Sequence, residues 1–125
     1  MQRLTTQDVD FFRDQGYLVQ RGVFDEAEIG RLREGYDAIA ALVAGGGIDP
    51  QYLGGQGPEV HIHVQAPEGT SGSDSVRYLR KVQWPAMLHP VFEEIRTSAK
   101  FPALLEPLIG TSLKQFINQI NYKMP

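Results

Sequence analysis

Residues 115–125, QFINQINYKMP, decide how this chain is read. At a period of two, Phe116, Asn118, Ile120 and Tyr122 fall on one face and Ile117, Gln119, Asn121 and Lys123 on the other. The first face is mostly apolar, and the second carries two amides and an ammonium. The pattern predicts a strand with its polar face toward a polar cavity.

The chain around it has 125 residues, enough for one domain with a real core. The composition, 42% hydrophobic and 22% charged, is that of a globular protein. No apolar run approaches the roughly 20 residues of a membrane span, and the N-terminal MQRLTTQDVDFF has no apolar signal region. Cysteine is absent, which removes disulfides, thiolate metal sites and cysteine nucleophiles and fits a reducing cytoplasm. A net charge of −3 points away from nucleic acid and membrane as partners.

Working back along the chain, LTTQDVDFFRDQG predicts a short helix. Thr5 and Asp8 form a capping box, Leu4 and Val9 a hydrophobic staple, and Gly16 a left-handed stop. YLVQRGVF reads as a short strand. DEAEIGRLREGYDAIAALVAGGG predicts the strongest helix, with Asp25 and Glu28 as its box, an apolar stripe of Ile29, Leu32, Tyr36, Ile39 and Leu42, and a stop at residues 45–47. Those three glycines lack the Lys and Ser or Thr of a phosphate loop. IDPQYLGGQGP reads as loop. EVHIHVQ and VRYLRKVQ read as strands of a hairpin around the polar loop APEGTSGSDS. A helix follows with Pro90 at its first position and Val91, Phe92, Ile95 and Ala99 inward. FPALLEPLIG reads as a shorter helix bent or ended near Pro107, and SLKQFINQINYK as the last strand. Phe12, Leu32, Ile39, Phe92 and Leu105 are expected in one buried helical layer.

His61 and His63 leave the same face of one strand, a spacing that some metal sites use. Glu59 shares that face, but residues i and i+4 of a strand lie about 13 Å apart, too far for bonds of about 2 Å to one ion. A third ligand would have to come from elsewhere, and His89 is the only other histidine. Two solvated imidazoles and a small metal site both remain open. Arg77 and Lys81 point opposite to Arg80, which favours solvated faces over an anion clamp. Trp84 before Pro85 reads as a core plug at a chain reversal. No Ser–His–acid arrangement stands out, and no catalytic residue is assigned.

The order of elements resembles the phytanoyl-CoA dioxygenase family of iron(II)- and 2-oxoglutarate-dependent oxygenases. LTTQDVDFFRDQGYLVQRGVFDEAEIGRLREGYD is similar to the family's opening, LHPVFEEIRTSAKFPALLEPLIG to its middle helices, and INQINYKMP to a strand ending in Lys followed by proline. The resemblance implies an α+β fold. A helical layer with short strands would lead into the beginning of a double-stranded β-helix, a jelly roll whose barrel is incomplete within residues 1–125. It implies hydroxylation of an unactivated C–H bond of a small-molecule substrate, coupled to decarboxylation of 2-oxoglutarate to succinate. It also implies that Asn121 and Gln119 approach 2-oxoglutarate or substrate, with Lys123 at the cavity mouth. The family's His-X-Asp iron motif follows the Lys-X-Pro, and this chain has no His-X-Asp or His-X-Glu. No iron ligand is therefore assigned, and neither iron(II) nor 2-oxoglutarate is expected to bind tightly to this chain alone. The expectation is the N-terminal part of such an oxygenase, inactive by itself and located in the cytoplasm. It would self-associate through residues 113–123, where later strands would pair, or leave that segment poorly ordered. The alternatives are a non-enzymatic binding module derived from the same fold and a small metal-binding protein using His61 and His63.

Overall fold

The computed structural model describes residues 3–46 and 60–123. Among these residues are four α-helices, two 3₁₀ segments and a three-stranded antiparallel open sheet. The α-helices and strands are α1 (Thr6–Gln15), α2 (Glu26–Ala44), β1 (His61–Val64), β2 (Leu79–Gln83), α3 (Pro90–Arg96), α4 (Lys100–Ile109) and β3 (Gln119–Asn121).

The helix ends follow local chemistry. Thr5 and Asp8 cap α1 reciprocally, as do Asp25 and Glu28 for α2, so that two otherwise unpaired N–H groups are satisfied at each start. Gly16 closes α1 at φ 78°, a conformation that a side chain would resist. Pro90 starts α3, where its missing N–H costs nothing, and α4 runs through Pro107 to stop at Gly110.

The core lies between one face of the sheet and α2 with α3. Ile39, Val60, Ile62, Leu79, Val82, Val91 and Phe92 are buried in one cluster. Ile120 and Tyr122 of the last strand pack against it, as do Leu32, Tyr36, Val43 and Trp84. Gly35 lets α3 approach, since a Cβ there would lie 2.6 Å from Val91 Cγ1 and 3.0 Å from the Phe92 ring. Leu79 and Val82 are both buried although three residues apart in one strand. An irregularity opposite His63/Val64 explains this: Lys81 faces His63, Leu79 faces Val64, and Arg80 is the extra residue.

Several expectations change. Residues 17–24 form no strand: Tyr17 and Val19 are exposed, and an alternating pattern without a ladder partner does not make a strand. The 3₁₀ segment Gly72–Tyr78 takes up part of the expected loop and holds Arg77, so β2 begins only at Leu79. Leu42 is 39% exposed, and Val43 packs on the core instead. Ala99 lies beyond the end of α3, and Leu105 is exposed. The IDPQYLGGQGP loop, Glu59 and Gly47 lie outside the described residues. Among the described residues no helix is long and apolar enough to cross a membrane.

Candidate functional site

The strand that sequence reading singled out is shorter than expected but keeps its alternation. Its ladder covers Gln119–Asn121, extended by Trp84 N–H donating to the Asn118 carbonyl at 2.6 Å and Tyr122 N–H to the Arg80 carbonyl at 2.8 Å. Asn118, Ile120 and Tyr122 are half-buried, whereas Gln119, Asn121 and Lys123 are exposed. Phe116 departs from the pattern: it precedes the ladder and is 90% exposed, not inward-facing.

Register assembles the outer face of the sheet from three distant segments. His61 pairs with Gln83 and Gln83 with Gln119; His63 pairs with Lys81 and Lys81 with Asn121. Directly opposed side chains on one sheet face have Cβ atoms about 5 Å apart. Two imidazoles, three amides and an ammonium thus form two adjacent polar rows, with Lys123 two residues beyond Asn121. On the opposite face the partners of the same ladder are Ile62, Val82 and Ile120. The sheet is two-faced: apolar toward the helices, polar outward.

What the rows can do follows from their atoms. Amide and ammonium donors on one surface suit carboxylates and carbonyl oxygens. Around His61 and His63 the paired residues are Gln83 and Lys81, neither of which extends a histidine pair to a metal site. His89 is engaged elsewhere. It caps α3, its Nδ1 accepting from Val91 N–H at 3.3 Å, with its ring 6.2 Å from Phe92. The metal site from all three histidines is thus not assembled, and among the described residues no three His, Asp or Glu side chains converge as one.

Two polar atoms lie beneath β3 on the inner side. Asn118 Oδ1 and Tyr122 Oη are buried, with no hydrogen-bond partner among the described residues. Burial pushes the Tyr122 phenol up to about 12, with Tyr36 and Asp37 adding to the rise. Its ring meets Tyr36 edge-on at 6.2 Å.

Sequence reading missed Trp84's backbone. The residue sits at φ 54°, ψ 49°, a left-handed conformation that is costly for an aromatic and unusual before proline. The bend turns the chain from β2 into a 3₁₀ turn at Pro85–Met87 while the indole packs on the core, as the plug expectation required. Only the Trp-Pro pair signals it. Concavities among the described residues lie away from the polar rows. A cleft of about 460 Å³ opens among Val43, Ile62, Val64 and Ser75, and a groove of about 700 Å³ runs along Phe101, Leu105, Ile109 and Leu113. Neither includes Gln119, Asn121 or Lys123. Comparison with protein-family models, curated proteins and solved structures returned no match.

Proposed function

We propose that these residues supply the helical layer and the first cavity-lining strand of an iron(II)- and 2-oxoglutarate-dependent oxygenase of the phytanoyl-CoA dioxygenase type, acting on a small-molecule substrate. One observation carries the reading: a sheet backed by helices on its apolar face presents Gln119 and Asn121 of β3, with Lys81 of the neighbouring β2, on one polar face. In this reading the sheet is the start of a jelly roll, and that face becomes the cavity wall.

The described residues do not fit an iron site, so no step through iron is assigned to them. They do fit an acidic co-substrate: the Asn121 and Gln119 amides donate to its carboxylate or keto oxygen, and Lys123 supplies positive charge at the mouth. The role of this chain is therefore to bind and orient.

The test begins with the coding sequence that follows residue 125, where a His-X-Asp motif is expected. The full-length product with iron(II), ascorbate and O₂ should convert 2-oxoglutarate to succinate, and Asn121→Ala should raise its KM for 2-oxoglutarate. The 125-residue chain alone should form none. A following segment without the motif, or succinate that tracks the isolated chain, overturns the proposal.

A further inference from the structure

The sheet order β1-β2-β3 leaves β3 with one edge paired to β2 and, among the described residues, the other edge open. The hydrogen bonds say which groups face that opening. Trp84 N–H donates to the Asn118 carbonyl and Tyr122 N–H to the Arg80 carbonyl, and alternation along an antiparallel ladder puts Ile120 in the same set, opposite Val82. The N–H and C=O groups of Gln119 and Asn121 therefore point outward.

We infer that this edge pairs with the same edge of a second copy, about a two-fold axis through Ile120. In that register Gln119 lies opposite the second copy's Asn121 and Asn121 opposite its Gln119. The two pairs exchange both of their backbone bonds. Their side-chain amides meet on the polar face, Ile120 meets Ile120 on the apolar face, and the helices stay on one side of the joined sheet. The charges agree. Lys123 is the only charged residue from 115 to 123, and it falls opposite Ile117 rather than a second Lys123. The strand is only three residues long, but residues 115–123 contain no proline, and it is flanked by Phe116 at 90% and Ile117 at 40% exposure. Proline at Ile120 would break the bond to β2, not the open edge.

The inference concerns the 125-residue chain and stands apart from the oxygenase reading, which succinate formation tests. Light scattering over a concentration series should move from the 14.0 kDa monomer toward twice that mass. Hydrogen exchange should show the Gln119 and Asn121 amides gaining protection only in the dimer. Gln119→Lys with Asn121→Lys opposes like charges in both pairs and should weaken association on the order of tenfold. Mixing that variant with Gln119→Glu/Asn121→Glu should restore a one-to-one dimer. A chain that stays monomeric to about 1 mM, a dimer in which those two amides stay unprotected, or assemblies that keep growing beyond the dimer overturns the inference.

Discussion

Helices α1 and α2 begin with the same device, a reciprocal capping box closed within four residues, yet they end in different parts of the molecule. α1 contains no buried residue, and its neighbour α4 contains none either. α2 buries Gly35 and Ile39, and Ile39 is fully buried in the cluster that holds Ile62, Leu79, Val82, Val91 and Phe92. Capping decides whether a helix starts; it carries no information on how deep the helix lies. Depth depends on a partner surface, and among the described residues α2 and α3 are the helices that contribute to the buried cluster.

The sharpest way to break this contrast is truncation. Ile39→Ala removes atoms with no room to relax and should cost about 2–5 kcal/mol in denaturant unfolding. Phe11→Ala, in the exposed pair that Phe11 makes with Tyr17, should cost under about 1 kcal/mol. Equal losses would mean that α1 and α2 share one core.

A finer test uses two glycines in α2. At Gly35 a methyl would collide with Val91 and Phe92, so Gly35→Ala should destabilise by about 1–3 kcal/mol despite the better helix propensity of alanine. At Gly30 a Cβ meets nothing within 4 Å, and Gly30→Ala should stabilise by up to about 1 kcal/mol. Stabilisation at both positions would remove the close α2–α3 contact.

These cases show what was legible in the sequence. Thr5–Asp8 and Asp25–Glu28 were readable because each interaction spans three residues. The alternation of residues 118–123 and the hairpin were readable because a period survives burial. Gly35 was not, because its reason stands on α3, far away in sequence. Neither was the strand expected at residues 17–24, since alternation cannot say whether a ladder partner exists. Leu79 escaped for a third reason: the extra residue Arg80 shifts the phase within a strand. For the candidate site, the polar face of the last strand was readable from its own residues, but its union with His61, His63, Lys81 and Gln83 required register.

Tyr122 tests the inner side of β3. Its hydroxyl is buried without a partner among the described residues, so Tyr122→Phe should leave stability unchanged or raise it by up to about 1 kcal/mol. The sign of the pH effect follows from the raised value. The folded state holds the phenol proton up to about 12 while the unfolded chain releases it near 10.0, so stability should fall as pH rises through that interval. Tyr122→Phe should flatten this alkaline slope. An unchanged slope would place the hydroxyl in contact with water.

The smallest effect lies at the seam between the two regions. Lys100, at the start of α4, pairs with Glu28 of the α2 capping box and sits 5.2 Å from the centre of the Phe24 ring. The Lys100 ammonium, then the Asp25 backbone N–H, hold the Glu28 carboxyl below its ordinary 4.5. A depressed carboxylate contributes stability that is present above its ordinary value and lost as pH falls through the folded one. Acidification should therefore loosen α4 from α2 while the core around Ile39 persists. Hydrogen exchange at stepwise lower pH should show amides of α4 losing protection before those near Ile39, and Lys100→Met should advance the loss at neutral pH. If α4 and the centre of α2 open together at every pH, the periphery is not separable from the core, and the contrast between the two regions fails.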